Sequence, residues 1–131
     1  MRYMFLVSGV ETGAAPPQRM IDEIEKLAEQ ETAAGRMLAR GGLLPMAMGS
    51  ARVESRRGKL KTTDGPFAET KEVLGGFAIF EFATREEAIA SAEHFMDLHS
   101  KYWPEWEGTC EMRPMFGFGS VAVTEDRTPP A

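Results

Sequence analysis

The sequence predicts an α+β domain: one antiparallel sheet of the split βαβ kind, with two helices on a single face. Three observations predict it. Across 131 residues, β-prone runs and amphipathic helical stretches follow one another in the order β-α-β-(hairpin)-β-α-β. The run Thr63 to Glu72 sets an acid and a Gly-Pro turn directly before a strand apolar on both sides. Finally, the strands carry apolar side chains on both faces, more than two helices can cover.

Each element follows from local pattern. Residues 2–8 are β-prone and stop at Gly9, and 11–17 is a loop with Pro16 and Pro17 at the mouth of a helix. From Gln18 to Ala34, Ile21, Ile24, Leu27, Ala28 and Ala34 share one helical face, and Gly35 is a natural stop. Met37 to Leu44 reads as a strand in which Gly41-Gly42 marks a bulge or bend. Pro45 to Ser50 is a loop. Ala51 to Arg56 alternates small or apolar with charged residues and pairs with Lys59 to Thr63 across a turn at Arg57-Gly58. Val73 to Phe82 is the long strand after the turn. Thr84 with Glu87 forms a capping box that opens a second helix, running to about residue 98 on Ala88, Ile89, Ala92, Phe95 and Met96. Lys101 to Gly108 is a bulky loop, Thr109 to Phe116 the last strand, and residues 118–131 a C-terminal tail. The whole is ferredoxin-like, one domain over residues 1–117.

Alternate residues of the strands define its two faces. Met4 and Leu6 oppose Tyr3, Phe5 and Val7, and Phe77 and Ile79 oppose Ala78, Phe80 and Phe82. Two helices shield one such face. A bare apolar face of several strands exceeds what soluble monomers usually expose. The same face of a second copy is the simplest cover, giving a homodimer with sheets packed face to face, a dimeric α+β barrel. The competing arrangement is a monomer in which loop 101–108 folds over the sheet.

Bulk composition narrows the function classes. A net charge of −5 argues against direct nucleic-acid binding. The lone Cys110 excludes an intrachain disulfide and a cysteine-based zinc site. No apolar run is long enough for a membrane span, so the expectation is a soluble cytoplasmic protein. No phosphate loop, dinucleotide fingerprint, nucleophile elbow or metalloprotease motif occurs, and no cofactor is expected.

The run Asp64-Gly65-Pro66-Phe67-Ala68-Glu69-Thr70-Lys71-Glu72, with Gly75-Gly76-Phe77 after it, resembles the signature of the DGPF-motif group of YCII-related proteins. The openings Met1-Arg2-Tyr3-Met4 and Gly42-Leu43-Leu44-Pro45, and the closing Glu111 to Phe116, also look like that group. The resemblance implies a dimeric, ferredoxin-like α+β barrel, in agreement with the strand faces. It brings two functional expectations. One is isomerase- or lyase-like chemistry on a small molecule in an inter-sheet pocket near Asp64, through a His/Asp pair. The other is a regulatory or interaction module that works with an extracytoplasmic-function sigma factor. The chain departs from the first pattern, for its histidines, His94 and His99, lie on the second helix and none lies near the first.

Asp64 and His99 are the catalytic candidates. A carboxylate at a strand entrance can act as a general base, and Asp before Gly-Pro also fixes turns by accepting backbone hydrogen bonds. His99 sits near the apolar stripe and can titrate near neutral pH, or it can satisfy carbonyls at the helix end. Phe67, Glu69, Lys71, Trp103 and Trp106 are the ligand-binding candidates. The tryptophans can clamp an aromatic or acyl ligand or pack their loop onto the sheet. Phe67 reads equally as a core plug, and Glu69 and Lys71 as surface charges. His94 reads as solvated, and two histidines without a third ligand make no zinc site. Between residues 51 and 62, Arg52, Arg56, Arg57, Lys59 and Lys61 face only Glu54, a local formal charge of +4 that guards a strand edge or attracts an anion.

Overall fold

The structure, a computed structural model of the chain, describes residues 1–67 and 71–116. Its elements are β1 (Arg2–Val10), α1 (Gln18–Ala33), β2 (Met37–Gly42), β3 (Ala51–Arg56), β4 (Lys59–Asp64), β5 (Glu72–Glu81), α2 (Arg85–Tyr102) and β6 (Gly108–Pro114). Four strands form one sheet in the order β2-β5-β1-β6, and β3-β4 form a separate two-stranded ribbon. Every pairing is antiparallel. This is the ferredoxin-like arrangement, with the ribbon inserted between β2 and β5. Glu69 and the tail beyond Phe116 lie outside the described residues.

Local chemistry explains where elements begin and end. Thr84 Oγ1 accepts the Glu87 N–H at 3.1 Å, the cap half of the expected capping box, while the Glu87 carboxylate accepts the N–H of Ala83, one residue before the cap, at 3.2 Å. The helix α2 then runs on to Tyr102, past the expected end near residue 98. Its extra turn is held by the Trp103 N–H donating to the His99 carbonyl at 2.8 Å and by a Lys101–Asp97 ion pair at 3.3 Å. In α1 the inward stripe starts at Met20, which is buried with Ala28, whereas Ile21 is exposed. Spacings of four, seven and eight from Met20 reach Ile24, Leu27 and Ala28, so that stripe follows the helical period better than one starting at Ile21. The ribbon turns at Arg57 (φ 52°) and Gly58 (φ 80°), the left-handed pair that matches strand twist in a two-residue hairpin.

The core forms where β1 and β5 lie side by side. Tyr3 faces Phe80 and Phe5 faces Ala78 across the ladder, while the Phe5–Phe80 and Phe80–Phe82 rings lie 4.7 and 5.3 Å apart. Ala88 and Ala92 of α2 pack against this cluster, so both the alanines and the rings are needed for close approach. Each buried ring contributes roughly 2–3 kcal/mol by area removed from water. On the opposite face Met4, Leu6, Phe77 and Ile79 are half-buried. The expected irregularity in β2 is present but falls at Leu38, and Gly41 and Gly42 stay in register with Phe77 and Gly76.

Gly9 and Gly108 pair across β1 and β6, and the Trp106 ring lies on both. A Cβ on Gly108 would sit 2.3 Å from the Ser8 carbonyl oxygen and from the Trp106 ring. Gly108→Ala is therefore expected to lower unfolding free energy by about 2 kcal/mol in denaturant titration, because backbone cannot yield as a side chain does. A midpoint unchanged from native would contradict this packing of Trp106.

Candidate functional site

The two helices do not fill the sheet evenly. Under α2 the aromatic rings pack together, whereas under α1 there is a cavity of about 1050 Å3. Its floor is short of side chains because glycines coincide there. Gly42 faces Gly76 across β2 and β5, Val7 faces Gly76 across β1 and β5, and Gly75 follows at the β5 bulge. A Cβ on Gly42 would meet nothing within 4 Å. The roof is Met20, Ile24, Leu27 and Ala28 of α1, and the rim is formed by loop residues 11–16 with Leu43 and Pro45. At the far end stand Phe95, His99, Trp103 and Trp106. The size matches pockets that enclose small organic molecules.

Polar groups on the wall are few, and most are engaged. The Arg40 guanidinium donates two hydrogen bonds to the Glu25 carboxylate, at 2.8 and 2.9 Å, tying β2 to α1. That guanidinium, by its hydrogen bonds first and its charge second, holds the Glu25 carboxyl below its usual range. An exposed pair of this kind adds little stability, and here it bridges roof and floor at the edge of the cavity. Glu11 accepts the Met46 N–H at 3.1 Å and so joins the two rim loops.

His99 is the one buried polar residue of the described core, only 9% exposed. Its Nδ1 lies 3.1 Å from the Phe95 carbonyl oxygen. Its ring stands 4.3 Å from Trp106 and edge-on to Phe95 at 4.8 Å, centroid to centroid. Burial pushes the imidazole below its usual pKa, against a smaller opposing effect of the Phe95 carbonyl, so the ring is neutral at pH 7. His99 thus bonds a helix carbonyl and also lines the cavity. Trp103 and Trp106 stack at 6.1 Å and line the same end of the cavity.

The other candidates stand elsewhere. Asp64, exposed at the end of β4, does not line this cavity, and neither do Phe67 and Lys71. Phe67 packs under the Arg52 guanidinium, 4.1 Å from the ring centroid. The turn after Asp64 does reach the rim indirectly. The Gly65 N–H donates to the Ser50 carbonyl at 2.8 Å, and the Ser50 hydroxyl donates to the Met46 carbonyl. Met46 in turn is held by Glu11, so the turn braces the loop that closes the rim. His94 is exposed. Cys110 is half-buried and its thiol is pushed up to about 11 by desolvation, which keeps it protonated near neutral pH. Among the described residues no three His, Cys, Asp or Glu side chains gather to hold a metal ion, and no helix is long and apolar enough to cross a membrane. Sequence reasoning missed Met20, the Glu25–Arg40 pair and the glycine floor. The visible signal was the recurrence of Gly-Gly in two strands, which pattern alone reads as a bend.

The chain belongs to the family of YCII-related domains, whose model matches residues 1–95. The match ends inside α2 and so leaves His99, Trp103 and Trp106 outside it. No curated protein matches the chain.

The His99 environment fixes a pH dependence. Its folded pKa lies below the unfolded value near 6.5, so the unfolded chain binds the extra proton more readily. The stability this contributes is complete above about pH 6.5 and is lost as pH falls through the folded pKa. The melting temperature of the native chain is expected to fall between pH 7.5 and 5.5, and that of His99→Gln to fall less. Equal slopes in thermal scans would contradict the burial of a neutral ring.

Proposed function

We propose that this YCII-related domain is a homodimeric small-molecule-binding protein whose ligand lies under α1, against the glycine floor. The single observation that carries the reading is the cavity of about 1050 Å3, lined chiefly by apolar groups and closed at one end by Phe95, His99, Trp103 and Trp106. A protein interior is ordinarily close-packed, so a space of this size lined by side chains is a binding site before it is a packing fault. The ligand is apolar over most of its surface, because the charged wall groups already have partners. Isomerase- or lyase-like turnover would rest on His99 as base, the wall group both buried and titratable. Asp64 enters this reading as a brace of the rim loop rather than as a base. Within the family we assign the chain to the DGPF-motif group, on the run Asp64-Gly65-Pro66-Phe67.

The dimer rests on the other face of the sheet. Met4, Leu6, Phe77 and Ile79 lie there opposite the helices, and Leu74 is 41% exposed. The far faces of two copies stack in this reading, leaving both cavities on the outside of the assembly. Ile79→Arg is expected to convert the dimer to monomer in light scattering at micromolar concentration while preserving the circular dichroism spectrum. A native chain that scatters as a monomer would refute the assembly.

A filled cavity tests the ligand reading. Ile24→Trp puts an indole into the space from the roof. It is expected to weaken binding of an environment-sensitive naphthalene dye at least tenfold, with a melting temperature no lower than native. Unchanged dye binding in a folded variant would place the dye, and the reading, elsewhere.

A further inference from the structure

His99 engages only one of its two ring nitrogens among the described residues. The carbonyl of Phe95 can only accept, so its 3.1 Å approach to Nδ1 assigns the ring proton to that atom. This leaves Nε2 as a lone-pair acceptor, and no described residue donates to it. Rotation of the ring is opposed on two sides, by Trp106 at 4.3 Å and Phe95 at 4.8 Å. The ring forms part of the wall of the large cavity and also of a smaller one, of about 430 Å3, beside Ser100 and Glu107. A buried acceptor without a donor is costly in a folded protein, and binding a donor removes that cost. The rings around it favour a flat π-system, which stacks on indole with offset or edge-on geometry. The strongest donor for a carboxylate, Arg40, already spends its bidentate pair on Glu25.

From this we propose that the ligand is an aromatic hydroxyl compound, a phenol or an enol of comparable shape, whose hydroxyl donates to His99 Nε2 while its ring stacks in the Trp103–Trp106 end of the cavity. The inference rests on the ligand reading above and sharpens it to a chemical class. The hydroxyl supplies the selectivity and the aromatic wall supplies the affinity. An ether or a hydrocarbon of equal size leaves Nε2 unpaired and binds less well. A carboxylate places an acceptor against an acceptor and has to displace Glu25 to find a partner.

Three probes of one size decide it: 2-naphthol, 2-methylnaphthalene and 2-naphthoate, titrated against the native chain by tryptophan fluorescence at pH 7.5. The expected order is 2-naphthol first, tighter than 2-methylnaphthalene by about tenfold, the worth of one hydrogen bond to an otherwise unpaired buried acceptor. His99→Phe is expected to remove that preference. Nitrogen-15 spectra of the native chain are expected to show the His99 Nε2 resonance moving on addition of 2-naphthol and not of 2-methylnaphthalene, a readout independent of whether the variant folds. Equal affinities for naphthol and methylnaphthalene, or an unmoved Nε2 resonance, overturn the hydroxyl assignment and leave the cavity reading standing. Tightest binding of 2-naphthoate overturns it in favour of Arg40. Failure of all three probes to bind overturns the cavity reading itself.

Discussion

The constraint from which the rest follows is that the rings of β1 and β5 fill only one half of the space between sheet and helices. Tyr3, Phe5, Phe80 and Phe82 gather under α2, where Ala88 and Ala92 let the helix come close. Along the same strands the side chains shrink to Val7, Gly9, Gly75 and Gly76, and the layer under α1 is left hollow. The two halves are one ladder, so the packed half holds the hollow half open. Stability and cavity are thus separate in space, and a site can be large without loosening the core.

The cavity is framed by contacts at its wall and behind its rim. The Glu25–Arg40 pair bridges α1 and β2, Glu11 joins the rim loops through Met46, and the Asp64-Gly65 turn supports Ser50 behind them. Trp106 rests on paired glycines and thereby fixes His99 from one side. The turn at Asp64-Gly65 therefore has a structural account that needs no chemistry from the Asp64 carboxylate. It also explains why a Gly follows the acid: at Gly65 a Cβ would come 2.7 Å from the Ser50 hydroxyl and 3.0 Å from the Met46 carbonyl.

Much of the fold was legible in the sequence because the decisive signals are local. The Thr84 side-chain cap, the Arg57-Gly58 turn and the two-residue alternation of β1 and β5 each act within a few residues, and each appears where the pattern puts it. Strand and helix ends were less legible, since pairing and packing settle them: β1 continues through Gly9 because Val73 and Gly108 lie across from it. The site was legible in part. His99 and the two tryptophans were found by residue type, whereas the cavity arises from glycines of β2 and β5 that meet only once register is set. No reading of one strand shows a coincidence between two. Asp64 drew attention because a carboxylate beside Gly-Pro is conspicuous in sequence, and its place at the end of the ribbon follows from a pairing that sequence leaves open.

The location of the ligand is the central claim, and anomalous diffraction from crystals soaked in 6-bromo-2-naphthol tests it most directly. The account predicts a bromine peak between α1 and β5, with the hydroxyl beside His99. Bromine density between the far faces of two sheets, or at the Asp64 turn, would contradict it.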